Sequence, residues 1–236
     1  TAIPDEAFKN CAELRQIAIP DSVTSIGRDA FTSCTGLTAV AIPASVTSLG
    51  YRAFRQSDAL TSVTFASGSA LHTIGEGAFA RTGVASFALP SSVTSVEHSA
   101  FSVTVSLTSF EYVGGQSASK WTNVGNYVFM ESALTSFVIP DSLTELGDQM
   151  FHNCASLTSV TFPVNPPSTF TQLPNFVFRR TALTSLVVPS TVTHIGEAAL
   201  KDTALLTSVT LPAGLRSIGS QAFAGSGITG IRLPTG

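Results

Sequence analysis

His152 and Cys154 stand two residues apart, and a thiol beside an imidazole base is a pairing that serves nucleophilic catalysis. Cys154 lies three residues after Phe151, and the corresponding position elsewhere in the chain is mostly held by Ser or Thr. A position shared by small residues indicates packing, so we interpret Cys154 as a core residue rather than as a nucleophile.

Cys11 and Cys34 also fall three residues after a Phe, in neighbouring segments of similar sequence. This placement leaves two states open, a disulfide between the two segments and a pair of reduced, packed thiols. The reduced pair is favoured, because Ser and Thr substitute freely at this position.

The other chemical groups show no spacing typical of a catalytic or metal centre. The four histidines, His72, His98, His152 and His194, come from unrelated positions and lack paired metal-ligand spacing. No glycine-rich phosphate loop, nucleophile elbow or carboxylate pair stands out. We therefore predict no catalytic residue, no metal site and no cofactor, in a protein that is not an enzyme.

Charge is scarce in this chain of 236 residues, since 11% of them are charged and 44% are hydrophobic. A net charge of -3 provides no broad basic field, which argues against a nucleic-acid partner. Ser, Thr, Gly or Pro breaks every apolar stretch within a few positions, so no run of about 18 apolar residues is present to insert into a membrane.

An Ala-Phe dipeptide, or a near relative of it, recurs through the whole chain. Its Phe, replaced once by Leu, stands at Phe8, Phe31, Phe54, Phe79, Phe101, Phe129, Phe151, Phe178, Leu200 and Phe223. The spacing of 22 to 28 residues is in the range typical of solenoid repeats. One coil of this length cannot bury its own apolar residues, so we predict that coils stack and that these side chains form a continuous ladder in the core.

Each coil repeats the same apolar pattern after its Phe. Apolar residues such as Leu37, Val40 and Ile42 follow it, and their alternation with small residues predicts a strand with one buried face, ended by proline in most coils. A second apolar pair spaced i, i+3, such as Val46 and Leu49, should point inward. The glycine that commonly follows this pair suits a tight turn or a positive φ.

The segment from Ile19 to Pro43 combines Ile-Pro, Ile-Gly, Ala-Phe, a Cys three residues later and the Leu-Thr-Ala-Val-Ala-Ile-Pro strand. It closely resembles the BspA-like leucine-rich repeats, and the resemblance covers essentially the whole chain. It implies a leucine-rich-repeat solenoid, a curved right-handed superhelix or horseshoe of about ten coils of 22 to 28 residues. A parallel β-sheet would lie on one face, with short turns or helical turns on the other. The resemblance also implies a surface-exposed or secreted protein that takes part in adhesion and binds host matrix proteins.

A single leucine-rich-repeat array is expected over residues 1–236. Solenoids need polar caps at their ends, and none is evident near Ile3 or Pro234. We therefore expect a fragment of a longer array that lacks one or both caps, or an end that another chain covers.

Two surfaces are candidates for partner binding. The first is the outward face of the predicted strands, with candidate contacts Ser62, Thr64, Ser109, Glu111, Ser136, Val138, Ser159 and Thr161. Because binding hot spots are usually Trp, Tyr or Arg, a scaffold surface kept soluble by hydroxyls is the competing interpretation. The second comprises the residues inserted in the three longer coils, at 67–70, 114–120 and 164–169, with candidate contacts Tyr112, Gln116, Lys120, Asn165 and Ser168.

The predicted function is that of a non-enzymatic protein-binding or adhesion module, at the cell surface or secreted. Its partner would be an extracellular matrix or host surface protein. The alternative is a structural subunit or scaffold within a larger protein assembly.

Overall fold

The computed structural model describes residues 1–234 and shows a parallel β-solenoid of about nine turns, which confirms the predicted fold class. Thr235 and Gly236, the end of the predicted array, lie outside the described residues. The elements are β1 (Ala2–Ile3), β2 (Ser25–Ile26), β3 (Ala39–Ile42), β4 (Ser48–Leu49), β5 (Ser62–Phe65), β6 (Thr73–Ile74), β7 (Ser86–Leu89), β8 (Ser95–Val96), β9 (Ser109–Tyr112), the 3-10 helix η1 (Gln116–Ala118), β10 (Asn123–Val124), β11 (Ser136–Val138), β12 (Ser159–Thr161), β13 (Gln172–Leu173), β14 (Ser185–Val187), β15 (His194–Ile195), β16 (Ser208–Thr210) and β17 (Ser217–Ile218).

The predicted strands form one side of the coils, a coil being the run from one ladder residue to the next, but the equivalent runs at 14–20 and 228–234 form no strand. In β3, Ala39 and Ala41 are exposed while Val40 and Ile42 are buried, as the alternation predicts. β3 ends at Ile42, directly before Pro43, which has no N–H to continue the ladder. Neighbouring strands are parallel and in register, so equivalent residues of successive coils lie side by side.

The pairing of these strands is interrupted after each of the three longer coils. Backbone pairing joins β3 to β5, β7 to β9, β11 to β12 and β14 to β16. In the described chain no ladder joins β5 to β7, β9 to β11 or β12 to β14. β5, β9 and β12 are the strands that directly precede the inserted residues 67–70, 114–120 and 164–169, so the extra length coincides with a loss of pairing on this side.

A second parallel ladder runs along another side of the coils, where the family resemblance implied short or helical turns. Each i, i+3 pair except Leu143 and Leu146 ends in a two-residue strand; in β4, for example, Leu49 is buried, as is its partner Val46. These short strands form a six-stranded sheet, β1-β2-β4-β6-β8-β10, and a three-stranded sheet, β13-β15-β17. Parallel β-structure therefore lies on two sides of the coil rather than on one.

The Ala-Phe segments form the third side as a series of turns. The residues two before and two after each ladder residue have positive φ, as at Asp29 (φ 50°) and Ser33 (φ 59°) around Phe31. The Phe31 N–H donates at 2.7 Å to the carbonyl of Ala53, the residue before the next ladder residue Phe54, and equivalent bonds recur along the chain. Short polar side chains tolerate the left-handed region, which accounts for Asp, Asn and Ser at several of these positions.

The predicted Phe ladder is confirmed and lies at the centre of the core. From Phe8 to Phe178, successive rings stack with centroids 5.1–5.7 Å apart and planes within 18° of parallel. In the middle coils, Phe87, Phe110 and Phe137 from the strands pack edge-on against ladder rings. Offset stacks and edge contacts are the preferred aromatic geometries, so this region holds the densest aromatic packing.

The glycines that follow the i, i+3 pairs allow successive coils to approach closely. A Cβ at Gly75 would lie 2.6 Å from the Leu49 carbonyl oxygen, and one at Gly219 would lie 2.6 Å from the Glu197 nitrogen. Neither glycine has a positive φ, so that part of the prediction is wrong for them, and positive φ falls on the residues around the ladder instead. What these positions require is the absence of a side chain.

Candidate functional site

The outward residues of β5, β9, β11 and β12 lie on the same side of the coils, with β7 between β5 and β9, and we call this surface the sheet face. Its residues are the eight predicted contacts Ser62, Thr64, Ser109, Glu111, Ser136, Val138, Ser159 and Thr161, of which Ser109 is half-buried and the others are exposed. The register sets Ser136 opposite Ser159 and Val138 opposite Thr161. The structure thus places these residues on one surface, and their role in binding stays a prediction.

The hydroxyls of the sheet face differ from those of the threonines beside it. Thr61 Oγ1 donates to the Thr38 carbonyl of the preceding coil at 3.3 Å, and equivalent threonines repeat this bond. Within the described part of the chain, Ser62, Ser136 and Ser159 make no side-chain hydrogen bond to protein. The threonines therefore tie coils together, while the serine hydroxyls are available to a partner.

The side of the coils that carries the sheet face is depleted of charge. Only three of the 27 charged residues, Arg15, Glu111 and Arg232, lie in the runs from the first aliphatic residue to the strand end, which are 14–20, 37–43, 60–66, 84–90, 107–113, 134–140, 157–163, 183–189, 206–212 and 228–234. Charges concentrate instead around the Ala-Phe turns, where Lys9 Nζ contacts Glu6 Oε1 at 2.7 Å. Depletion of charge is typical of the core of a protein–protein interface.

A groove of about 680 Å³ lies along the sheet face at the unpaired boundary between β12 and β14. Its lining includes Phe162 and Val164 after β12, Val187 and Pro189 at the end of β14, and Pro212 after β16. None of its lining residues is charged. Its volume is within the usual range of small-ligand pockets, about 300–1,000 Å³.

Two valines make this groove apolar at its surface, and the sequence did not single them out. Val164 is 95% exposed and Val187 is 67% exposed. Val187 lies on β14, at the position that Val138 holds on β11, so a repeated valine in an outward column was the available signal. Val164 belongs to the inserted segment 164–169, whose position over the groove requires the three-dimensional structure.

Tyr112, the first predicted loop contact, joins two coils. Its hydroxyl donates to the carbonyl of Val138 in the next coil at 2.8 Å, and its side chain is half-buried. Burial raises the pKa of the phenol, which keeps it neutral and able to donate. This geometry gives Tyr112 a structural role.

The other predicted loop contacts lie at the surface. Gln116 begins η1 and is half-buried, whereas Lys120, Asn165 and Ser168 are exposed. Hydrogen bonds and groove contacts of the described residues join each inserted segment to a neighbouring coil, and they do not bring the three segments into one cluster. The role of these inserted residues in binding stays a prediction.

Cys154 is buried in the core, as the packing interpretation expects. Its Sγ donates to the Phe129 carbonyl at 3.0 Å and contacts Ser132 Oγ at 3.4 Å. Burial raises the pKa of this thiol to about 11, which disfavours the thiolate that a nucleophile requires.

His152, its neighbour, provides a test of pH dependence. Burial lowers its pKa, and the charges of Arg179 and Arg180 lower it further against an opposing effect of Glu131. The folded protein therefore binds this proton less readily than the unfolded chain, whose His pKa is about 6.5. The stability that His152 contributes is complete above that value and is lost as the pH falls through it.

We therefore expect the urea concentration at half-unfolding to decrease as the pH is lowered from about 7.5 to about 5. The decrease should be smaller in His152→Gln. The same variant removes the titrating group and keeps a polar side chain of similar reach. Equal pH slopes for the two proteins would show that His152 is not protonated differently on folding.

Residues 1–234 contain no cluster of three or more His, Cys, Asp or Glu side chains able to hold a metal ion. No helix in that range is long and apolar enough to cross a membrane.

In-register parallel coils with an internal Phe ladder define a leucine-rich-repeat solenoid. The BspA type leucine rich repeat region matches residues 1–117 and 122–236, with six copies, and the chain belongs to this family. No curated protein matches the chain.

Two solved structures show the same architecture. A leucine rich cell surface protein from Faecalibacterium prausnitzii is 26% identical, with a TM-score of 0.56 over 97% of this chain and 69% of that one. A leucine-rich repeat protein from Bacteroides ovatus is 23% identical, with a TM-score of 0.53 over 94% of this chain and 73% of that one, and this likeness shows the fold alone.

Proposed function

We propose that this chain is a non-enzymatic protein-binding module of the adhesion type, displayed at a cell surface or secreted, with an extracellular matrix or host surface protein as its partner. Family membership supports a repeat scaffold that presents a surface to other proteins. The similar protein from Faecalibacterium prausnitzii is described as a cell surface protein, which supports the same location for this chain.

The observation that carries the proposal is the charge-depleted sheet face and its continuation into the groove at Val187. A partner that covers this surface displaces water from apolar side chains and small hydroxyls, and it desolvates few charges. Serine hydroxyls without internal partners can donate to the covered surface, so the face offers both apolar area and hydrogen bonds.

Binding should depend on the groove valines. We expect Val187→Asp to weaken binding to an immobilised matrix protein, drawn from fibronectin, laminin and collagen, by about tenfold or more, because the carboxylate must lose its water in an uncharged groove. Surface plasmon resonance on the purified chain measures the change. Val187 is exposed, so the substitution should leave the thermal midpoint nearly unchanged.

Val105→Asp is the matched control, since Val105 is 68% exposed and lies beside an Ala-Phe turn rather than on the sheet face. Equal weakening by both substitutions would count against the groove as the contact surface. If no matrix protein binds saturably and the chain instead co-purifies from its source cells with one stoichiometric complex, the scaffold within an assembly is the correct function.

A further inference from the structure

Three residues after each ladder residue stands a small side chain, and in three coils it points back toward the preceding coil, whereas Thr82, Thr104, Thr181 and Thr203 bond the ladder carbonyl of their own coil. Cys34 Sγ donates to the Phe8 carbonyl at 3.0 Å, and Ser57 Oγ donates to the Phe31 carbonyl at 2.9 Å. Cys154 Sγ makes the same bond in a later coil, to the Phe129 carbonyl. Cys34, Ser57 and Cys154 are therefore directed toward the backbone beside their counterparts in the coil before.

One pair of counterparts in adjacent coils is in direct contact. Ser132 Oγ and Cys154 Sγ, which hold this position in neighbouring coils, are 3.4 Å apart. In the first two coils the corresponding residues are both cysteines, Cys11 and Cys34, and both are free thiols in this structure. The same contact there would bring two sulfur atoms together.

Hydrogen bonds fix the first two coils in the register that this pairing needs. The Phe8 carbonyl accepts both the Cys11 N–H at 3.1 Å and the Cys34 thiol at 3.0 Å, so the thiol lies against the Cys11 backbone. The Asn10 N–H donates to the Thr32 carbonyl at 2.8 Å, next to the pair. Adjacent parallel chain segments lie about 4.8 Å apart, within the Cα separations of about 4.4–6.8 Å that disulfides span.

We propose that Cys11 and Cys34 are a covalent modification site, which an external disulfide such as oxidised glutathione converts into an inter-coil disulfide. The exposed Cys11 thiolate attacks one glutathione sulfur, forms a mixed disulfide and releases one glutathione thiolate. Cys34, as its thiolate, then attacks Cys11 Sγ, forms the Cys11–Cys34 bond and releases the second glutathione. Two protein thiols are oxidised, and one glutathione disulfide is reduced to two glutathiones.

The second step should limit the rate. Burial raises the pKa of Cys34 to about 11, so its thiolate is a small fraction of the molecules at neutral pH. The mixed disulfide at Cys11 should therefore accumulate first and disappear more quickly at higher pH, by about tenfold per pH unit below that pKa.

The experiment treats the 236-residue chain with oxidised glutathione, quenches samples with iodoacetamide and follows them by intact mass and peptide mapping. We expect one glutathione adduct first, then an unadducted protein lighter by two hydrogens with a linked Cys11–Cys34 peptide pair. Cys154→Ser should behave identically, whereas Cys34→Ser should stop at the adduct. The oxidised wild type should also unfold at a higher temperature than the reduced protein, because the bond links residues 11 and 34 in the unfolded chain.

Two outcomes would overturn the proposal. In the first, the adduct persists at all pH values and Cys34 is alkylated as soon as the protein is unfolded. In the second, only covalent dimers through Cys11 form.

Discussion

Phe101→Ala should destabilise the protein by about 3–5 kcal/mol, the range for removing a buried Phe from a packed core. Phe101 is fully buried and stacks on Phe79 at 5.4 Å and on Phe129 at 5.6 Å. It also meets Phe87 and Phe110 edge-on at 4.7 and 5.5 Å. Truncation opens a cavity between two coils on each side, and the surrounding rings are held by their own neighbours and cannot close it.

Urea unfolding followed by circular dichroism measures this loss. Phe101→Leu is the matched control, because Leu200 holds a ladder position naturally and is fully buried there. We expect the Leu variant to retain most of the stability. Phe8→Ala, at a half-buried ladder residue, should cost clearly less than Phe101→Ala. Similar losses for Phe8→Ala and Phe101→Ala would contradict a ladder whose energy comes from stacking on both sides.

Much of this fold follows from the sequence because repetition turns a weak local pattern into a strong one. The alternation of Leu37, Val40 and Ile42 is too short to define a strand alone, yet it recurs at the same distance from each ladder residue. Coils of similar length stack equivalent residues, so the burial of Phe31, Phe54 and their counterparts could be predicted without coordinates.

The second ladder could not be predicted in the same way. Its strands, such as β2 and β4, are two residues long and provide no alternation to detect. They exist because the neighbouring coil is already in register and offers hydrogen-bond partners. The positive φ values around the ladder were equally hidden, since residues as different as Asp29, Arg52 and Val103 adopt them.

Part of the candidate site could likewise be predicted from the sequence, and part could not. The outward column of Ser62, Ser136 and Ser159 was predicted because it depends only on strand alternation. The groove at Val164 and Val187 depends on how the inserted segment folds over an unpaired strand boundary, which alternation does not encode. The insertion 164–169 thus coincides with an unpaired strand boundary and also supplies part of the wall of the groove there.

Gly75→Ala should also lower stability, by about 1–3 kcal/mol, although it adds a single methyl group. The new Cβ would lie 2.6 Å from the Leu49 carbonyl oxygen and 2.8 Å from the Gly50 carbonyl carbon of the preceding coil. Both atoms belong to backbone, so no side chain can rotate away, and the coils must separate. Leu49 and Ile74 pair in the second ladder directly before these glycines, and their hydrogen bonds would lengthen together.

Gly214→Ala tests whether steric contact between coils is the cause. A Cβ at Gly214 meets nothing within 4 Å, and its φ is not positive. There the substitution should be neutral or stabilising by about 0.4–1 kcal/mol, because alanine restricts the unfolded chain. Chemical-denaturation midpoints of the two variants should therefore shift in opposite directions or by clearly unequal amounts. Equal shifts would mean that the glycines act through the unfolded state and not by letting the coils approach.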